Sequence, residues 1–308
     1  MAKKHGLFVG LTTLDCFYQA ERPPAANEKV VADKSLLVAG GPATNAAVAF
    51  AQLGGSEANK ATLLSVIGGH PLTTLLRKDL RGQGVRLCEL DEDWMEPPPV
   101  SSIVVSRGTG DRAVIARNAE GLQVKASQVS SDVLEGVSII LIDGHQMAIS
   151  AQILQWAKVR EIPVVVDAGS WKPGFETVLP LADVVVASAN FLPPDCETSD
   201  DVFAYLSRLE IPQIAITRGN QPIYYSDNYS GNESKEEMAV PQIKAVDTLG
   251  AGDIFHGAFC HFYLKHTFEE TLLKASRVAS FACQHWGTRD WTKVYRMTDD
   301  EDEAGENS

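Results

Sequence analysis

Six short, almost wholly apolar runs recur along the chain: GLFVGLT (6–12), ATLLSVIG (61–68), VSIILIDG (137–144), IPVVVDAG (162–169), ADVVVASA (182–189) and IPQIAITRG (211–219). Each has the length of a strand and lacks polar alternation, so each needs cover on both faces. Segments with helical patterning lie between and after them, at 43–53, 71–82, 150–160, 200–209, 252–265 and 269–286. That alternation predicts an α/β fold: a three-layer α/β/α, doubly wound, mostly parallel sheet. Two stretches break the pattern. EKVVADKSLLV (28–38) reads as extended, and PVSSIVVSRGTGDRAVIAR (99–117) as a hairpin turning at Gly108-Thr109-Gly110-Asp111. With residues from about 15 onward they form either a small β-sheet lid, spanning about 15–38 and 99–117, or an extension of the main sheet's edge. Pattern alone leaves both open.

At 308 residues the chain can bury one large core, expected over 1–298. The last ten residues, DDEDEAGENS, hold six acids and no base, and read as a disordered acidic tail over 299–308. The formal net charge of −13 argues against nucleic acid or an anionic membrane as partner. No apolar run reaches the roughly 18 residues of a membrane span, and the start, MAKKHGLFVGLTTLD, reads as a first strand, not a signal peptide. Five dispersed cysteines without a C-x-x-C pair fit reduced thiols in a cytoplasmic protein. There is no G-x-x-x-x-G-K-[ST] phosphate loop, no G-x-G-x-x-G after the first strand and no H-E-x-x-H. His256, His261 and His266, spaced by five, do not share a helix face and are expected to pack rather than bind metal.

The chemistry concentrates in AVDTLGAGDIFHGAFCHFYL, 245–264. Glycines cost a helix about 1 kcal/mol each, yet Gly250, Ala251 and Gly252 open this one, followed by Asp253. Small residues there leave backbone N–H groups and the helix's positive end free to hold an anion. A carboxylate beside such a cradle can take a proton from a hydroxyl. A plain helix cap is the simpler reading of Asp253, but it does not call for three tiny residues. In an open α/β sheet, ligands sit at the strands' carboxyl ends, where Asp15, Asp143-Gly144, Asp167-Gly169, Asn190, Thr217-Arg218-Gly219 and Asp247-Thr248 are expected.

VDTLGAGD resembles the C-terminal signature of the ribokinase-like (PfkB-type) carbohydrate kinases. VAGGPATNAAVAFAQLGG, 38–55, resembles the N-terminal signature, about 200 residues earlier and in family order. The resemblance covers residues 5–290, and its motifs are closest to ketohexokinase-like and sulfofructose-kinase-like members. It implies an ATP-dependent kinase that transfers the γ-phosphate to a hydroxymethyl group of a small sugar of ketose or pentose type. By the same resemblance Asp253 is the base on the cradle of Gly250, Ala251 and Gly252, and Asp15, Gly40, Gly41, Asn45 and Asp143 meet the sugar. ATP is implied at Arg112, Asn190, Thr217, Gly219 and Asn220, Mg2+ near Asp167, and a monovalent cation, K+, beside Asp247. Lid sheets in the family pair into homodimers, which the apolar Leu36-Leu37-Val38 would permit. The chain departs from the family where N-x-x-E is usual: Asn190 is followed by Phe191, Leu192 and Pro193, so the glutamate is missing. Pro42 stands where ketohexokinase-like members carry Asn, and Gly287-Thr288-Arg289-Asp290 fits the cation loop only loosely. Two other readings remain open at this level: a non-catalytic relative serving as a binding or regulatory protein, and a kinase for a nucleoside or an already phosphorylated sugar.

Overall fold

Strand β1 (His5–Val9) shows why the apolar runs lack alternation: Phe8 enters one core layer, while Leu7 and Val9 enter the other. The computed structural model describes residues 4–54, 59–117, 123–230 and 232–296, so the acidic tail lies outside the described residues. β1 pairs in parallel with β4 (Lys60–Ser65) on one side and β8 (Ile139–Ile142) on the other. Outward from β4 lies β5 (Val85–Glu89), and outward from β8 lie β9 (Val164–Ala168), β10 (Val184–Ser188) and β11 (Gln213–Arg218), all parallel. A hairpin of β12 (Gln221–Asp227) and β13 (Asn232–Met238) completes the nine-stranded sheet in the order β13-β12-β11-β10-β9-β8-β1-β4-β5. The strand order reverses between β1 and β8, and such a switch point opens a crevice at the strands' carboxyl ends.

Helices cover both faces. On one side α1 (Pro42–Gln52), α2 (Thr73–Gly82), α6 (Ala251–Tyr263) and α7 (Phe268–Ala282) share a core layer with Phe8, Leu63 and Val186. On the other, α3 (Met147–Val159), α4 (Phe175–Val178) and α5 (Ser199–Arg208) share one with Leu7, Ile142 and Val185.

The two extended stretches form a separate four-stranded sheet, not an edge extension. Its order is β3-β2-β6-β7, from β2 (Thr13–Ala20), β3 (Lys34–Gly40), β6 (Val100–Ser106) and β7 (Arg112–Ala116). Asp15, Ser101 and Ala116 are cross-strand partners, with Val38 opposite Asp15. Period-two alternation therefore sets Asp15 and Ser101 on one face, and Cys16, Leu37 and Ile115 on the other, where Leu37 and Ile115 are 55% and 79% exposed.

Several boundaries differ from the sequence expectation. The first run does not continue to residue 12, because the chain leaves the main sheet after Val9 and enters the lid at Thr13. Of residues 28–38 only the part from Lys34 is strand, and the strand runs on to Gly40. α3 begins at Met147, not residue 150. β5 and the β12–β13 hairpin were not anticipated. Among the described residues no helix is long and apolar enough to cross a membrane, and all five cysteines are free thiols.

Candidate active site

The base of the crevice is organised by Asp143, at the end of β8. Its Oδ2 accepts the N–H groups of Leu11 (2.9 Å) and Ala43 (3.1 Å), and its Oδ1 accepts that of His145 (2.9 Å). Burial alone would raise its pKa, but the His145 ring 3.1 Å away and these hydrogen bonds outweigh it, holding the carboxyl near 2. This corrects the expectation that Asp143 meets the sugar. Its side chain is fully enclosed and its oxygens are committed to the backbone of the turn after β1, of α1 and of its own loop.

That tie positions α1. Gly41, at the helix's N-cap, has φ 98°, and a Cβ there would lie 2.4 Å from the Leu11 carbonyl oxygen, so both conformation and space require glycine. Pro42 follows at the first helical position. Gly40 packs directly on Asp15, whose carboxyl a Cβ would overlap at 1.9 Å. Asn45, one turn into the helix, thereby reaches the crevice. Its Nδ2 donates to Asp253 Oδ2 at 2.8 Å, and its Oδ1 accepts from Arg289 Nη1 at 2.9 Å.

Asp253 is the third residue of α6, whose N-cap Gly250 adopts the left-handed conformation (φ 70°) with no side-chain cap. The first-turn N–H groups of Gly252 and Asp253 have no intrahelical acceptor. A Cβ built on Gly252 meets nothing within 4 Å, so the space above this turn is open. Burial raises the Asp253 pKa first, and the charge of Asp167 adds to it; the Asn45 hydrogen bond and His256 oppose, and the carboxyl titrates at about 6. Asp167, at the end of β9, is itself raised by burial and lies 3.6 Å from His256 Nδ1. His256 is a packing residue, its nitrogens 2.7 Å from the Gly252 carbonyl and 3.2 Å from that of Val186. His261 packs likewise, 2.7 Å from Asn59 Nδ2.

Two further groups brace the loop. Asp247 is buried, its Oδ1 accepting from Leu249 N (2.9 Å) and its Oδ2 from Gly287 N (3.0 Å), so it brackets the cradle loop to the 287–289 loop; burial raises its pKa. Arg289 was quoted at the sequence level only as part of a cation loop. It is 5% exposed and donates to Asn45, to the Ala39 carbonyl and to Thr288, with Asp79 3.6 Å away. A lone arginine within WGTRDW was the one available signal.

These pieces surround a cavity of about 960 Å³ at the switch point. Asp15, Gly41, Asn45 and the turn from Gly250 to Asp253 line one part of it, and Ser101, Ile103, Val114 and Ala116 of the lid roof it. Thr13 Oγ1 donates to Asp15 Oδ1 at 2.7 Å, and burial raises the Asp15 pKa. Arg112 of β7 reaches down to the cradle, donating to Thr248 Oγ1 at 2.8 Å. Arg112 also lines the cavity, but the other four residues expected at ATP are not in its wall. Asn190 is exposed on the turn after β10, its N–H on Ser188 Oγ. Thr217 pairs with Ser188 and donates to the Ala187 carbonyl, and Gly219 and Asn220 make the exposed turn beyond. The sequence reading also missed Arg117, His145, Trp171 and Lys172, which line the same cavity.

A family model described as pfkB family carbohydrate kinase matches residues 3–293. Ribokinase of Bacillus subtilis (strain 168) is 24% identical over 293 residues, covering 91% of this chain and 93% of the relative. Among solved structures, ribokinase of Thermotoga maritima superposes with a TM-score of 0.75 at 19% identity, covering 95% of this chain and 99% of that one. Arabidopsis thaliana ribokinase complexed with ribose and ATP does so with 0.74 at 21%, covering 96% and 100%. At such identities the superpositions speak for the fold. The class these findings define is a phosphotransferase with an alcohol group as acceptor. The chain belongs to the pfkB family of carbohydrate kinases.

Proposed function

We propose that the protein transfers the γ-phosphoryl group of ATP to a hydroxymethyl group of a small sugar of ketose or pentose type, with Asp253 as general base. One observation carries this reading: a carboxylate with a pKa near 6 stands at the rim of an open, uncapped helix N-terminus and is oriented by Asn45. The ribose and ATP of the Arabidopsis relative's complex support the choice of substrates.

When bound, ATP supplies the phosphoryl group and Mg2+ offsets its charge. The open space above Gly252 and its free N–H groups fit a phosphate. Asp167 and Asp253, which repel one another, fit a divalent cation held chiefly by phosphate and water, the mode magnesium favours. Asn190, Thr217, Gly219 and Asn220 form the rim over which the nucleotide would lie. Asp15 and Asn45 hold the sugar hydroxyls beside Gly41. Asp253 takes the hydroxyl proton as the acceptor oxygen bonds to the γ-phosphorus and ADP departs. The N–H groups of the α6 turn stabilise charge on the transferred group, and Arg112, tethered at Thr248, adds a guanidinium at the same end. The lid above excludes water, which limits wasteful hydrolysis of ATP. K+ would neutralise the buried Asp247 carboxylate, and exchange of K+ for Na+ in the assay tests that. A second copy pairing through the outer lid face at Leu37 is the homodimer we assign; sedimentation of Leu37→Glu as an unchanged dimer would refute it.

The experiment is ADP release across a panel of sugars, run beside Asp253→Asn. Loss of a general base costs roughly 10²–10⁴-fold. The variant is expected to bind ATP, by thermal shift, and lose at least about 10²-fold in kcat. An active variant removes Asp253 from the role.

A further inference from the structure

Arg289 is a poor brace for a loop. It is buried, does not line the cavity, and its Nε has no partner among the described residues. Asp79 Oδ2, the carboxylate paired with it, is 3.6 Å from Nη2. A buried guanidinium so loosely paired is costly, and an apolar side chain of similar volume often serves a fold as well. What Arg289 does hold lies around the acceptor end of the site. Nη2 donates to the Ala39 carbonyl, while the Ala39 N–H donates to Asp79 Oδ2 at 3.0 Å. Asp79, Ala39 and Arg289 thus close a ring at the root of the lid, where β3 ends at Gly40, the glycine against which Asp15 packs. Nη1 donates to Asn45 Oδ1 at 2.9 Å, to Thr288 Oγ1 at 3.0 Å and to the Thr288 carbonyl at 3.2 Å. Burial lowers the guanidinium's pKa, and the charges of Asp79, Asp15 and Asp253 oppose that, so both carboxylates of the cavity wall act on it.

A guanidinium has donors only. Its contact with Oδ1 therefore turns Nδ2 of Asn45 toward Asp253, whatever the protonation of that carboxyl. One Nδ2 hydrogen goes to Asp253 Oδ2. The other has no acceptor among the described residues, and Asn45 lines the cavity. Both atoms also border the cradle, since a Cβ built on Gly250 would lie 3.6 Å from Asn45 Nδ2 and 3.7 Å from Asp253 Oδ2. A hydroxyl placed there can give its proton to Asp253 and take the free Nδ2–H on one lone pair. Its other lone pair is then left for the γ-phosphorus.

We propose that Arg289 is a positioning residue for the transfer, acting through Asn45: it joins that amide to the root of the lid and holds its free N–H on the oxygen that attacks. This rests on the kinase reading above and deepens it. The test is a double-mutant cycle on kcat/KM, by ADP release with the sugar that the parent uses best. Arg289→Met is expected to lower kcat/KM by about 10–100-fold, as loss of an orienting partner does, chiefly in kcat and with the KM for ATP unchanged. In an Asn45→Ala background the same substitution should cost no more than about a further twofold, whereas independent sites would add in full. Stability is separated from positioning by Asp79→Asn, which keeps an acceptor for the Ala39 N–H and removes the carboxylate left unpaired in Arg289→Met. The double variant Asp79→Asn/Arg289→Met should recover Tm and not kcat. Should Arg289→Met not fold, Arg289→Lys runs the same cycle, since an ammonium keeps the charge and loses the planar fork that spans Ala39 and Asn45. Additive losses in the cycle, or kcat restored together with Tm by Asp79→Asn, would make Arg289 a structural brace; this inference would then fall and the kinase would stand. ATP consumption by the parent with no sugar would overturn both.

Discussion

Asn45 Nδ2 donates to Asp253 Oδ2 across 2.8 Å and 208 residues of chain, while Arg289 fixes the other end of the same amide. The amide can satisfy both only in one orientation, with its NH2 on the carboxylate and its oxygen on the guanidinium. As the proposed base, Asp253 would have to be ionised to accept a proton, and its pKa is raised to about 6, so kcat/KM is expected to fall as pH drops through about 6. The Asn45 hydrogen bond lowers that value, so Asn45→Ala should move the acid limb to higher pH. A pH–rate profile with an unmoved limb would show that Asn45 does not tune the base.

The same carboxylate burdens the fold. Its pKa is raised from the unfolded 3.8 to about 6, so the stability it allows is complete below the unfolded value and declines as pH rises through 6. Asp253→Asn keeps an acceptor for Asn45 and removes the buried charge. We expect a higher Tm than the parent at pH 7.5, with the gap closing below pH 4. Thermal unfolding at the two pH values decides it, and equal Tm at pH 7.5 would contradict it.

Gly252→Ala separates packing from chemistry. Nothing lies within 4 Å of the added methyl, and alanine favours a helix over glycine by about 1 kcal/mol. The variant should fold at least as stably as the parent and lose at least about tenfold in kcat, because the methyl would stand where we propose the phosphate binds. Retained activity would mean that the open turn is not the phosphoryl site.

Asp143 distinguishes an anchor from a ligand. Asp143→Ala strips the acceptor from three N–H groups, that of Ala43 buried, and leaves His145 without its carboxylate, which should cost at least about 3 kcal/mol of stability in denaturant melts. Its pKa is depressed to about 2, so its contribution is present above the unfolded 3.8 and drains away as pH falls toward 2. A variant with normal stability and a raised sugar KM would return Asp143 to the sugar site.

The core strands were legible because burial on both faces leaves them mostly apolar, as in Val164–Ala168, whose one polar residue is the penultimate Asp167. The β12–β13 hairpin was not, because an edge hairpin carries Lys235, Glu236 and Glu237 and relies on pairs such as Tyr225 Oη on Glu236 at 2.6 Å. Composition could not choose between lid and edge extension, since the choice lies in which strands β2 pairs with. In the site, three small residues before a carboxylate exposed the α6 turn. Asp143 misled because a carboxylate at a strand's end looks the same in sequence whether it faces a ligand or backbone amides. Arg289 was hidden because its partners, Asn45 and the Ala39 carbonyl, are distant in sequence.

The strand order has a consequence for how the molecule is made. Every strand of both sheets is present by Met238, so a ribosome that has just released that residue has delivered the whole framework, with the cavity's floor and roof. Asp247, the turn at 250–253 and Arg289 arrive only in the last stretch. A chain arrested before Asp247 holds every strand of the two sheets but lacks α6, α7 and Asp253, the carboxylate we propose as the base.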